Sequence, residues 1–354
     1  LQAARRLLHV VRIAMNFRAL LVLCSFASSA FAGTAASTYQ RTESFDAKPR
    51  NWHLGTQTQY YGYTATRVLG GTGAAGGYLM PTTAFNYYGD VYLGGAVDRA
   101  TPLSASGRLV LRRTSGTPPY VASGYLAHFN KQGGKFIQVI GIALTGSTST
   151  TVVATPIIQF SNGGAYEGDA ITLTVGDDPV SWSYQWTPGG GPDGYGELAI
   201  TIGNATAVLD LTSDTVGDNY SLNAFGLFQP PFSSPDGNTF LELYEGNLKY
   251  TALPGKAPTL HVLEPKNNTP GEIIVGDGVV AFSGTAKTHL GYKVAAIRYR
   301  VIHNGKRGRL RSAKGTTNWT ANVRVPSGIS TIEFTARSDS GLTRTVKRKV
   351  HNFF

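Results

Sequence analysis

The stretch from Asp178 to Leu211, DPVSWSYQWTPGGGPDGYGELAITIGNATAVLDL, decides the fold class. Val180, Trp182, Tyr184 and Trp186 alternate with Ser181, Ser183 and Gln185. A period of two puts the four large residues on one face of a strand. Pro188-Gly189-Gly190-Gly191-Pro192-Asp193-Gly194 is too rich in Gly and Pro to stay in a sheet. Leu198, Ile200 and Ile202 then alternate with Ala199 and Thr201, Gly203-Asn204 turns the chain, and Ala207, Leu209 and Leu211 alternate again. Successive strands with no helical period predict an antiparallel meander.

Outward from this stretch the same pattern continues. Leu103 to Leu111, Tyr125 to Phe129, Phe136 to Leu144, Val152 to Phe160 and Ala170 to Val175 read as strands, with a hairpin-type turn at Asn162-Gly163-Gly164. Gly70 to Gly77 reads as a loop. The chain has 43 glycines, which argue against any long helix. Strands at intervals of about ten residues predict an all-β sandwich or barrel. Pro254-Gly255-Lys256-Ala257-Pro258 is a stiff, exposed linker. Beyond it a smaller β pattern restarts, with strands over Val279 to Ser283, Lys293 to Ile302, Asn318 to Val325, Thr331 to Ser338 and Val346 to His351.

Two resemblances follow from these segments. A strand bearing Trp182 and Trp186, the Pro-Gly-Gly break and Gly196-Glu197-Leu198-Ala199-Ile200-Thr201-Ile202-Gly203 resemble the concanavalin A-like (laminin-G-like) jelly rolls of secreted bacterial proteins. Glu43-Ser44-Phe45-Asp46 with Trp52 looks like that fold's opening strand. Asn223 to Phe228, Leu241 to Tyr244 and Leu248 to Thr251 look like its closing strands. In the smaller unit, Phe282-Ser283-Gly284-Thr285-Ala286, the alternation at Val294, Ile297, Tyr299 and Val301, and Ile332 to Ser338 are similar to bacterial immunoglobulin-like modules. The expected fold is a jelly-roll sandwich followed by a smaller immunoglobulin-like β-sandwich. The expected division is a leader over 1–32, the jelly roll over 33–253, a linker over 254–258 and the Ig-like sandwich over 259–354.

Charge supports this division. Residues 33–254 hold 11 Lys/Arg and 16 Asp/Glu, whereas residues 255–354 hold 17 Lys/Arg and 5 Asp/Glu. The net charge of +11 therefore belongs to the C-terminal hundred residues and the leader, and such asymmetry signals a partner. Met15-Asn16-Phe17-Arg18, the apolar run Ala19 to Phe26 and Ala30-Phe31-Ala32 have the three regions of a secretory signal peptide. The run is too short to span a bilayer comfortably, so the expected product is secreted or surface-located, begins at Gly33 and has no transmembrane segment. Cys24 is the single cysteine, which leaves the mature chain with neither disulfides nor thiolate metal sites.

Catalytic patterns are missing. A glycosidase on this frame needs two carboxylates flanking the bond. Glu167-Gly168-Asp169 is the nearest pair, and Glu242 and Glu245 are three apart and face opposite ways on a strand. No histidine lies in a nucleophile-elbow pattern. The chain is therefore expected not to be an enzyme and to need no cofactor. A structural calcium is open at the loop aspartates Asp177, Asp178, Asp193, Asp210, Asp214 and Asp218, whose other reading is turn formation.

Two candidate sites remain. Trp186, Tyr184, Tyr87 and Tyr88 could stack on sugar rings, or could form the inner face of a sandwich. Asn304-Gly305 predicts a hairpin turn, which would gather Lys306, Arg307, Arg309 and Arg311 on one exposed arm able to hold a polyanion. Lys347, Arg348 and Lys349 form a second basic cluster. Nucleic acid is disfavoured by export and by the lack of a binding motif. The leading expectation is a lectin-like protein for polysaccharide or cell-surface glycan, with the basic unit as spacer or anionic-surface contact. A self-assembling adhesive protein, its acidic and basic halves meeting between copies, and a remote glycoside hydrolase or polysaccharide lyase are the alternatives.

Overall fold

A computed structural model describes residues 37–55, 60–65, 69, 73–117, 120–131, 138–159, 164–212, 221–231, 239–266, 272–275, 278–289 and 292–353. The expected leader, Asp214, Asp218 and most of the turn at 162–164 lie outside these residues.

The described residues form strands and turns, with no helix among them. The first part of the chain supplies β1 (Tyr39–Glu43), β2 (Trp52–Leu54), β3 (Tyr60–Thr64), β4 (Ala74–Leu79), β5 (Asn86–Asp90) and β6 (Leu103–Thr117). Next come β7 (Tyr120–Val121), β8 (Ser123–Phe129), β9 (Val139–Gly146), β10 (Thr151–Gln159), β11 (Ala165–Glu167) and β12 (Ile171–Thr174). The meander is β13 (Val180–Thr187), β14 (Glu197–Ile202) and β15 (Ala205–Asp210), followed by β16 (Ala224–Gln229) and β17 (Phe240–Ala252). Beyond the linker lie β18 (Thr259–Glu264), β19 (Glu272–Val275), β20 (Val279–Lys287), β21 (Val294–His303), β22 (Lys306–Arg307) and β23 (Arg311–Ser312). The chain closes with β24 (Asn318–Arg324), β25 (Gly328–Ser338) and β26 (Thr343–Asn352).

β1 to β17 build two sheets packed face to face. One has nine strands, ordered β15-β14-β13-β6-β17-β4-β3, with β1 on β17 and β7 on β6. The other has eight, ordered β11-β10-β9-β8-β16-β5-β2, with β12 on β10. The all-β sandwich class read from the sequence is the class observed. Trp182, Tyr184 and Trp186 all point into the core, which they share with residues of the facing sheet such as Ile142 and Leu144. Burying such side chains is worth roughly 1.5–3 kcal/mol each, and with no disulfide this burial must hold the sandwich.

The meander closes as its residues require. Ile202 pairs with Ala205 across Gly203-Asn204, and Gly203 at φ 60° takes the first central position of a two-residue turn. Gly196, at φ 134°, lies against the indole of Trp186 so closely that a Cβ there would sit 2.0 Å from the ring. Gly196, just past the Gly-rich break, is thus closed down over Trp186.

Two segments depart from expectation. Ser44 to Asp46, expected within the opening strand, lie beyond the end of β1, with Phe45 at φ 57°. Ala74 to Gly77, read as loop, belongs to β4, between β3 and β17. A Cβ on Gly76 would lie 2.2 Å from the Leu243 carbonyl, and one on Gly77 2.4 Å from that of Tyr60. These glycines let three backbones approach closely rather than break the sheet.

β18 to β26 form a second sandwich of a three-stranded sheet, β18-β20-β24, and a six-stranded sheet, β19-β26-β25-β21-β22 with β23 on β21. Trp319, Phe282 and Phe334 fill its centre. Among the described residues, no strand pairs between the two sandwiches. They meet at Tyr292, whose single hydroxyl proton is shared between the carbonyls of Leu93 (3.0 Å) and Leu253. The Arg41 guanidinium lies over the Tyr292 ring, 4.2 Å from its centroid, and pairs with buried Asp90. Ser340 Oγ donates to the Pro254 carbonyl at 2.8 Å.

Candidate functional site

The structure separates the four aromatic candidates. Trp186, Tyr184 and Tyr88 are 1%, 2% and 1% exposed. Their rings lie in the core, so stacking on an external sugar is closed to them. Trp186, which borders the Gly-rich break, is capped by Gly196 and donates its Nε1–H to the Arg99 carbonyl at 3.0 Å. Tyr87 faces the opposite side from Tyr88, as neighbours on a strand must. It is half-buried among Phe85, Tyr92 and Phe129, and burial raises its phenol above the ordinary value, with Tyr92 adding to the shift.

The face opposite the tryptophans carries the feature that the sequence reading passed over. Ser181, Ser183 and Gln185 of β13 point outward, beside Ser104, Ser106 and Arg108 of β6 and Thr201 of β14. Two adjoining grooves, of about 380 and 470 Å³, share Ser106, Ser183 and Thr201 and so form one surface across the nine-stranded sheet. Lys249, Asn247 and Gln40 border it. Gln40 Nε2 donates to Ser104 Oγ (3.1 Å) and Thr251 Oγ1 (3.0 Å), and the Ser104 N–H donates to Thr251 Oγ1 (2.9 Å). The side chains of one border are therefore held in place. Hydroxyls both donate and accept, and amides present each role on separate atoms. The signal was present in the sequence as the polar half of the same alternation.

Beneath this sheet lies a buried polar group set. Nε2 of His128 donates to the Thr251 carbonyl at 2.8 Å, since a carbonyl can only accept. Nδ1 is then the acceptor for the Tyr184 hydroxyl, which itself accepts the His128 backbone N–H. Burial pushes the imidazole down to about 4, partly countered by the Thr251 bond. Glu245 is fully enclosed, neither carboxyl oxygen has a hydrogen-bond partner among the described residues, and burial pushes it up to about 8. Glu242 points the other way, to Arg113 at 2.7 Å and the Tyr244 hydroxyl at 3.0 Å. The two acids thus face opposite sides of β17, as their spacing required.

The basic arm forms as a hairpin. Asn304 and Gly305, at φ 48° and 74°, join His303 to Lys306, the positive-φ pair of a type I′ turn. The arm then carries one residue more than its partner strand. Arg307 pairs with Ile302, the Gly308 N–H bonds the Val301 carbonyl, and Arg311 pairs with Tyr299. That is a β-bulge, and a bulge re-aims the side chains beyond it. Lys306 and Arg311 lie opposite His303 and Tyr299, on the side of β21 that faces the second sandwich's interior. Lys347 and Lys349 are elsewhere, on exposed β26, and Lys347 lies 3.8 Å from Glu333.

Among the described residues, no three of His, Cys, Asp and Glu come together as metal ligands, and no helix is long and apolar enough to cross a membrane. No family model and no curated protein matches the chain. Among solved structures, the carbohydrate recognition domain of Emp47p is 9% identical, covering 63% of this chain and 100% of that one at a TM-score of 0.36. A structure from a 1.5-MDa bacterial ice-binding adhesin is 14% identical, covering 74% and 92% at a TM-score of 0.22. An engineered protein is 22% identical over 29% of this chain, and the match spans only 21% of that protein's length, at a TM-score of 0.23. At these scores the likenesses carry no argument about this chain.

Proposed function

We propose that this chain is a secreted or cell-surface binding protein of the concanavalin A-like kind. A polysaccharide or cell-surface glycan lies along the outer face of the nine-stranded sheet, and the smaller Ig-like sandwich serves as a basic spacer. One observation carries the reading: hydroxyl and amide side chains from β6, β13 and β14 converge on a continuous groove with no carboxylate in its lining. Such a surface matches the alternating donors and acceptors of a polyol. Binding is favoured over catalysis because Glu242 is tied to Arg113 and Tyr244, and Glu245 is sealed in the core.

A glycan array probed with the mature protein, with and without calcium, tests this. Ser183→Tyr and Thr201→Tyr each place a ring in the groove from a half-exposed position. Both should abolish the array signal while leaving the Tm unchanged. Signal that survives both substitutions would move the site off this face.

A further inference from the structure

The second sandwich has an open side between β24 and the β22–β23 arm. A pocket of about 350 Å³ lies there, floored by Tyr299, Val301 and Val323 and flanked by Pro326. Lys306, Arg307, Arg309, Arg311 and Arg324 surround it. The first four come from the bulged arm and Arg324 from the facing strand, so positive charge stands on both walls. No acidic residue lines the pocket, and none of these five cations makes an ion pair among the described residues. By contrast, Arg300 and Lys347 on the outer face of the same sheet share Glu333. His303 presents no free nitrogen, since Nδ1 bonds Ser330 Oγ at 2.9 Å and Nε2 meets the Asn304 amide at 3.1 Å. It serves as a fixed wall.

We infer that this pocket is a second binding site, for a sugar residue that carries a carboxylate or sulfate within an acidic polysaccharide. Cations crowded into one concavity repel one another, and an anion there relieves the repulsion. Arginine predominates, and its planar fork pairs with carboxylate and sulfate oxygens through two parallel hydrogen bonds. The apolar floor gives such a ligand something more than charge. A pyranose offers a C–H face to Val301 and Pro326 while its acidic substituent turns to the rim. A phosphodiester backbone would leave the floor unused, and no exposed aromatic ring stands in the pocket on which a nucleobase could stack. The site is separate from the groove on the first sandwich and does not depend on it.

The test is equilibrium binding of the whole protein to polygalacturonate and to heparin. Dextran serves as the neutral control, and anionic phosphatidylserine vesicles and single-stranded DNA as the rival anions. Arg311→Gln with Arg324→Gln removes one charge from each wall. Lys347→Gln with Lys349→Gln removes the same charge from β26, away from the pocket. The pocket pair should weaken binding to the acidic polysaccharides at least roughly tenfold, the equivalent of one lost charge-assisted hydrogen bond. The β26 pair should change it less than about twofold, as exposed lysines screened by salt contribute little. Lys306→Gln with Arg309→Gln, on the fully exposed arm, gives the same answer if the first pair fails to fold. Equal losses from the pocket and β26 pairs would reduce the effect to a general positive field and overturn the site. Tighter binding to the vesicles or the DNA than to either polysaccharide would also overturn it, as would equal binding to dextran. Groove substitutions should leave polyanion binding intact, so the two sites fail independently.

Discussion

Replacing Glu245 by Gln should reshape the dependence of stability on pH. The enclosed carboxyl is pushed from 4.5 to about 8, and His128 from 6.5 to about 4. Each pH unit over which the folded and unfolded states differ by one bound proton changes stability by about 1.4 kcal/mol. The two groups act with opposite sign. Between pH 4.5 and 6.5 the unfolded chain has lost the Glu245 proton that the folded one keeps, so stability falls as pH rises. Over the same window the unfolded chain holds a His128 proton that the folded one has shed, so stability rises. The two slopes cancel. Above pH 6.5 only the Glu245 slope remains, and the wild type should lose about 2 kcal/mol by pH 8. The Gln variant should instead gain up to pH 6.5 and then stay level. Its advantage over the wild type should grow by roughly 4–5 kcal/mol across pH 4.5 to 8. Subtracting the two curves removes Glu43, which burial also shifts upward. Urea unfolding at fixed temperature across this range measures the difference. Parallel curves for the two proteins would mean that Glu245 is ionised or hydrated in the folded state, and the reasoning would fail.

Two further substitutions probe the packing. Gly196→Ala forces a Cβ into the Trp186 indole at a positive φ, and should destabilise by on the order of 2–4 kcal/mol, lowering Tm by roughly 5–10 °C; an unchanged melt would show that the backbone at Gly196 does not press on Trp186. Tyr292→Phe removes the hydroxyl that bonds Leu93 and Leu253, and should split thermal unfolding into two calorimetric transitions with faster cleavage near Lys256; a single unaltered transition would assign the coupling to other contacts.

The meander from β13 to β15 was legible because each strand carries its own alternation and each turn its own glycine. The Asn304-Gly305 hairpin was legible for the same local reason. What stayed hidden depends on residues distant in the chain. β13 pairs with β6, Trp186 opposite Leu103, and no local period announces that partner. The same pairing sets Ser183 beside Ser106, so the groove exists only once the sheet is assembled. Gly76 and Gly77 were misread because a glycine that permits close backbone contact looks, in isolation, like one that ends a strand. The basic residues of the arm were found by composition. Their pocket was not, because it needs the extra residue of the bulge and Arg324 from another sheet.

Tyr292 has a consequence for how tightly this chain could hold a long polymer. Without its hydroxyl, only the Arg41 guanidinium over the ring and the Ser340 bond to Pro254 would brace the Pro-Gly linker, and the two proposed sites would sample more separations. The phenol acts as a splint across that joint. Were one polysaccharide strand to reach both proposed sites, the local concentration at the second would be set by a single fixed span, high when the polymer matches it and near zero when it cannot. The distance along the strand from a neutral stretch to an acidic unit would then be a criterion of selection, read by neither site alone but by the bracket that joins them.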